Sequence, residues 1–303
     1  MVHANVSRRE FLAAVAGSAM SLPAVIAAEG DSRKLLMIAG TPSHGPGDHE
    51  FNAGTTLLRN CLERAKIPGL QTVLQLNGWP KDESVFHGIH AIFLYCDGGG
   101  GHPFIQKNRL QLIGDLMKQG VGLMCAHFAV EVPKDRGGPE FKEWLGGYYE
   151  HEYSVNPIWV PRFEQFPDHP ICRGVKPFAI RDEWYFNMRW RDGMKGVVPI
   201  LSAKPSDAVR DGPYVYPRGP YRHIQEAKGQ SEAVMWAVER EDGGRGVGFT
   251  GGHFHVNWAD PDFRKVVLNA LLWITKIDVP KDGVPSHVSE KEMKENLDPK
   301  GKR

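Results

Sequence analysis

From Lys34 onward, short runs that are apolar throughout alternate with longer amphipathic stretches. Residues 35–39 (LLMIA) form the first apolar run and stop at Gly40, which reads as a short buried strand. Residues 52–65 then place Leu57, Leu58, Cys61 and Leu62 at helical spacing. Residues 71–76 alternate as a strand does, and residues 91–96 (AIFLYC) are apolar throughout before Asp97 and the glycines at 98–101. A helix is predicted over residues 104–118 and a further buried strand over 121–126. Strand patterns return at residues 233–239 and 247–250, and an amphipathic helix over 263–274 follows the start signal Asp260-Pro261-Asp262. Strands without a polar face must be covered on both sides, so the pattern predicts an α/β fold with a mainly parallel sheet between two helical layers.

The middle of the chain breaks this rhythm. Residues 148–164 and 178–185 alternate as strands, while residues 205–229 are polar and rich in glycine and proline, with Tyr214, Tyr216 and Tyr221 among them. This stretch is expected to elaborate the carboxyl edge of the sheet, partly as loop and as a lid. Residues 277–303 read as a charged tail with three prolines, extended or packed on the surface. With neither an internal repeat nor a linker, one domain is expected over residues 34–276.

Roughly the first 28 residues are set apart from the fold. Ser7-Arg8-Arg9-Glu10-Phe11-Leu12 precedes an apolar stretch interrupted by Gly17 and Pro23, with small or apolar residues before Ala27. This order matches a twin-arginine export signal, implying a periplasmic protein, and the stretch is too short and broken for a stable membrane anchor.

Charge narrows the partners. The 303 residues carry 37 basic and 36 acidic side chains, a net of +1, which gives no reason to expect nucleic acid or an anionic membrane. The four cysteines, Cys61, Cys96, Cys125 and Cys172, form no CxxC pair, so a zinc–thiolate site is not expected. An oxidising compartment permits a disulfide, but no pairing can be read.

The chemistry concentrates where predicted strands end. Residues 247–250 open into Gly251-Gly252-His253-Phe254-His255. The first strand is followed by His44, His49 and Glu50, another by glycines 98–101 with His102, and the strand over 121–126 by His127. In a parallel sheet such loops share one edge, where ligands bind. His49, His127 and His253 are therefore the candidate metal ligands, with Glu50 or Glu183 as carboxylate companion, suited to zinc or a similar divalent ion. Glu183 beside Trp184 is expected to have a raised pKa fit for acid–base work. Glycines 98–101 lack both the GxGxxG and the P-loop spacing, so no nucleotide cofactor is expected. Cys125 has no flanking glycine elbow and is expected to point into the sheet rather than act as a nucleophile.

Taken in order, several pieces resemble the ThuA-like (trehalose utilisation) family: Ser43-His44 with His49-Glu50, Tyr95-Cys96-Asp97 through His102-Pro103, and Gly122 to His127. Trp144-Leu145-Gly146-Gly147-Tyr148, Asp168-His169-Pro170, Asp182-Glu183-Trp184-Tyr185 and Gly244 through His253 to Trp273 complete the set. The resemblance implies the fold of class I glutamine amidotransferases without their catalytic cysteine, and a link to sugar metabolism beside enzymes that make 3-keto sugars. It implies a crevice formed by His49, His127 and His253 with Glu183 nearby. The longer loop from Ser43 to His49 leaves open whether His44 or His49 is the site residue.

The expectation is a metal-assisted hydrolase, lyase or isomerase of oxidised sugars or glycosides. Glu183, His127 and His253 are its catalytic candidates, and His44, Glu50, His102, Trp184, His255 and Trp258 its substrate contacts. Two alternatives stand beside it: a non-catalytic carbohydrate-binding protein and a metal-dependent hydrolase of another substrate class. A homo-oligomer is compatible with all three.

Overall fold

The computed structural model describes residues 32–301 together with Met1, so the twin-arginine segment lies outside the described residues. The order of elements follows the apolar pattern. Strand β1 (Arg33–Ala39) leads through a loop to helix α1 (Phe51–Ala65), then β2 (Leu70–Gln75), β3 (Ala91–Tyr95), α2 (Arg109–Lys118) and β4 (Gly122–Ala126). After α3 (Gly138–Trp144) and a series of two-residue strands come β5 (Val197–Ala203), α4 (Asp207–Asp211), α5 (Arg222–Glu226), β6 (Glu232–Glu239), β7 (Arg245–Phe249) and α6 (Pro261–Ile274).

Seven strands form one sheet in the order β5-β6-β7-β4-β3-β1-β2. Strands β2, β1, β3, β4 and β7 run parallel, and β6 and β5 add antiparallel at one edge. Successive residues of β1 serve opposite cores. Leu35, Met37 and Ala39 pack with Leu57, Leu58 and Cys61 of α1 and with Phe263, Val267 and Leu271 of α6. Leu36 and Ile38 pack with Ile113 and Met117 of α2 and with Phe141 and Trp144 of α3. That two-sided burial is why the strand carries no polar position. The architecture is a three-layer α/β/α sandwich with a mainly parallel sheet.

Helix α6 starts as its sequence predicts: the Asp260 carboxylate accepts from the backbone N–H groups of Asp262 (3.0 Å) and Phe263 (2.9 Å), with Pro261 in the first turn. Helix α1 lacks a local cap. Its first N–H, from Phe51, is met instead by the Asp298 carboxylate at 3.0 Å, which also takes the Asn52 amide at 2.6 Å. The tail is thus part of the fold, and its charged pattern had hidden that role. Cys125 packs into the apolar core on the α2 side, where burial pushes its thiol pKa up, and all four cysteines are unpaired. None of the helices among the described residues is long and apolar enough to cross a membrane.

Candidate metal centre

Because β1, β3, β4 and β7 are parallel, the loops after them share one edge of the sheet. The β1 loop and the β7 loop are laced together: His49 N donates to His253 O (2.9 Å), His255 N donates to Gly47 O (2.9 Å), and Asp48 and Phe254 form an isolated bridge. The buried Asp182 carboxylate braces the β7 loop, accepting from Gly252 N at 2.7 Å and His253 N at 3.0 Å. Glycine at 98 is required by close approach: a Cβ there would lie 2.1 Å from the Phe128 carbonyl oxygen, so the β3 loop seats directly on the turn after β4.

Three histidines at this edge, His44, His49 and His127, have positive φ (58°, 48° and 56°). Each such residue costs on the order of 1–3 kcal/mol, a cost that surrounding structure must offset and one that concentrates at functional sites. At the end of β4 the strained residue is His127, two positions beyond the inward-facing Cys125.

Four buried groups converge. His49 Nε2 is 3.0 Å from both His127 Nε2 and His253 Nδ1, and Glu183 Oε2 is 2.6 Å from His253 Nδ1 and 3.5 Å from His127 Nε2. The outer nitrogens decide the tautomers. His49 Nδ1 faces the Asp97 carboxylate at 2.9 Å, and His127 Nδ1 faces the Thr250 carbonyl at 2.9 Å. Both partners only accept, so both Nδ1 atoms carry a proton and each ring turns its Nε2 inward. His253 Nδ1–H is taken by Glu183. The same nitrogen faces His49 Nε2 at 3.0 Å, and the Tyr185 hydroxyl lies 3.1 Å from His127 Nε2.

The ligand atoms of His49, His127, Glu183 and His253 all lie within 4.8 Å of one another, and two imidazoles have the outer hydrogen bonds typical of metal-bound histidine. The residues fit a divalent ion.

Electrostatics agree with this geometry. Burial drives the His49 pKa far down, helped by His127, His44 and His253, so its ring is neutral. Burial also works to raise the Glu183 pKa, but the facing imidazoles of His127 and His253 outweigh it and hold the carboxyl at about 2. This corrects the raised pKa expected for Glu183, because Trp184 turns away from it. Trp184 is fully buried against Phe163, Phe249 and Phe263.

His49, Glu183 and His253 of the cluster line a cavity of about 610 Å³, a size usual for small-molecule sites. Its lining includes His44, Phe128, Glu131, His151, Asn156 and Tyr216. His44 stacks on His49 (ring centroids 3.7 Å apart) and lies 3.8 Å from Asp97, so the β1 loop supplies both histidines. Burial, its largest influence, lowers the His44 pKa. Asn156 links the 205–229 segment to the site, donating to Glu183 Oε1 at 2.9 Å and accepting from Tyr216 N at 3.1 Å.

Other expected contacts lie elsewhere. His102 is fully buried, donating to Ala129 O (3.1 Å) and accepting from Phe104 N (3.1 Å). Trp258 is buried against Tyr95 and Phe263. His255 bonds Met293 O at 3.1 Å, towards the tail. Glu50 is occupied by Gly47 N (2.8 Å), Asp298 N (2.6 Å) and Lys300 Nζ (3.3 Å). These four side chains are committed to internal partners and are absent from the cavity wall. Asp97, Glu131, Asn156 and His151 are not among the sequence-derived candidates, whereas Tyr216 belongs to the stretch expected at this edge. Of the four, only Asp97 has a signal, as the residue directly following an apolar strand run.

Residues 41–274 match the family described as ThuA, trehalose utilisation. Among solved structures the chain is similar to a protein described as ThuA-like from Bacteroides uniformis, with 17% identity, a TM-score of 0.56, and 85% of this chain and 97% of that one covered. It is also similar to one so described from Parabacteroides merdae, with 16% identity, a TM-score of 0.57, and coverage of 88% and 100%. At these identities the likeness concerns the fold. No curated protein matches the chain.

Proposed function

This chain belongs to the ThuA (trehalose utilisation) family, and on that premise we propose that it is an exported carbohydrate-active enzyme cleaving or isomerising oxidised, 3-keto sugars or glycosides with a divalent metal held by His49, His127, His253 and Glu183. The observation that carries this reading is the convergence of four buried donors, His49, His127, His253 and Glu183, whose ligand atoms all lie within 4.8 Å of one another. Bound there, a divalent ion would act as a Lewis acid on a substrate oxygen.

The remaining steps belong to the side chains. A ketone at C3 acidifies the C2–H, so a base can take that proton while the C1 substituent leaves. His44 presents an imidazole to the cavity outside the four-donor cluster and is the base in this reading. Tyr216, 69% exposed at the cavity rim, offers an aromatic face for a sugar ring. The twin-arginine start supports export to the periplasm, which cell fractionation would test.

Elemental analysis of purified protein, followed by assay of 3-keto-glycosides before and after chelation, tests the reading. It expects bound metal, lost turnover on chelation and recovery on adding the ion back. Undiminished turnover by metal-free protein would end the metal's role, and sugar binding without turnover would favour a non-catalytic binding protein.

A further inference from the structure

The cavity holds a second buried carboxyl group in the opposite kind of environment. Glu131 follows the turn after β4, and its backbone is fixed from both sides: its N–H donates to Phe128 O (3.0 Å), and its carbonyl accepts from Gly99 N (2.9 Å). The side chain is only 12% exposed and lines the cavity. Its Oε1 is 3.9 Å from His151 Nδ1, and among the described residues no group donates a hydrogen bond to the carboxyl. Glu183, in the same cavity, instead faces the Asn156 amide and two imidazoles. Around Glu131 stand Phe128, Val132 and Pro133, which solvate no charge. Burial, reinforced by the negative charge of Glu183, pushes the Glu131 pKa up to about 8, so it holds its proton where Glu183 is ionised. Two carboxyls driven apart by their surroundings mark an acid and a partner of different role.

We propose that Glu131 is the general acid of this site, giving its proton to the leaving-group oxygen as the C1–O bond breaks. The assignment rests on the glycoside-cleaving reading above. In the elimination, the base removes the C2 proton and that C–H pair becomes the C1–C2 π bond. The C1–O pair departs with the leaving oxygen, which takes the Glu131 proton. One proton is gained by the base and one lost by Glu131, and solvent at the cavity mouth, beside the half-exposed His151, restores both. An isomerisation has no leaving group and needs no such donor. The other titratable or charged groups about Glu131 are His151, Glu183, the buried phenols of Tyr149 and Tyr185, and Arg136, whose guanidinium holds the Gly100 carbonyl at 3.2 Å.

The test compares wild type with Glu131→Gln, full-length, by two readouts. The first is turnover of 3-keto-glucosides bearing an alkyl or an activated nitrophenyl leaving group. The variant is expected to lose about 100-fold or more in kcat/KM on the alkyl glycoside and less than about tenfold on the nitrophenyl one. Equal losses on both overturn the assignment. Should wild type cleave neither substrate, the glycoside reading itself falls and takes this role with it. The second readout is unfolding against pH, which needs no substrate. A carboxyl whose folded pKa is raised stabilises fully below about 4.5, and that contribution is lost as pH rises through about 8. Glutamine does not titrate, so the variant is expected to gain on wild type across that interval. A constant difference between the two shows that Glu131 ionises normally and overturns the proposal.

Discussion

Lys300 and Glu50 form an ion pair, Nζ to Oε1 3.3 Å, with both side chains almost wholly out of solvent. The same ammonium group donates to the backbone carbonyls of Asp48 and His49, at the left-handed turn that aims His49 into the cluster. A residue near the end of the chain therefore helps hold a metal-ligand candidate at its start. Removing one partner leaves the other charged and buried, so Lys300→Met is expected to cost about 3 kcal/mol or more, read from urea unfolding. Restoration of stability by the double change Lys300→Met with Glu50→Gln would identify the stranded carboxylate as the cause.

Asp97 accepts the His49 Nδ1 proton at 2.9 Å. An amide in its place keeps the shape but weakens the interaction that fixes the tautomer. Asp97→Asn is expected to weaken metal binding by about 10- to 100-fold, measured by competition with a chelating dye. Unchanged affinity would show that Asp97 serves the loop and not the metal.

His102 lies buried as the neutral ring, donating at Nε2 and accepting at Nδ1, and burial lowers its pKa to about 3. The unfolded chain binds a proton at about 6.5 and the folded chain does not. Its contribution is therefore complete above about pH 6.5 and is lost as pH falls towards 3. The stability curve of His102→Gln should be flatter over that interval, although the variant is less stable at neutral pH. Parallel curves would refute the linkage.

Gly98 is needed for the approach of two loops and not for its φ. Alanine there would put a methyl group 2.1 Å from the Phe128 carbonyl oxygen, an atom of the backbone that cannot swing aside. Gly98→Ala is expected to destabilise by about 3 kcal/mol. By contrast, Gly100→Ala meets nothing within 4 Å and should be near neutral. Similar melting temperatures for the two variants would contradict the packing argument.

Much of this was written locally. The apolar runs at residues 35–39, 91–96 and 121–126 are strands β1, β3 and β4, and Asp260-Pro261 starts α6 as its residue types require. Residues 205–229, expected as an elaboration and lid, bring Val215 and Tyr216 to the cavity and include the short helices α4 and α5. The short strands between β4 and β5 have two residues each, too few for any period to identify them, and Glu131, His151 and Asn156 lie in or near that region.

What the sequence determined by itself was the sheet and the loops that share its edge. Continuous apolar strands separated by helices admit few other solutions, and parallel strands place His49, His127 and His253 at one end. Only the tertiary structure decided which polar groups are used there. A side chain's role depends on its partners across distant loops. The Glu183 pKa is held down because two imidazoles face it, the Glu131 pKa is raised by burial and the charge of Glu183, and His102 and Glu50 are withdrawn by hydrogen bonds to their own backbone neighbours and to the tail. Hydrophobic periodicity records which face of an element is buried. It does not record which donors and acceptors meet once the faces have packed.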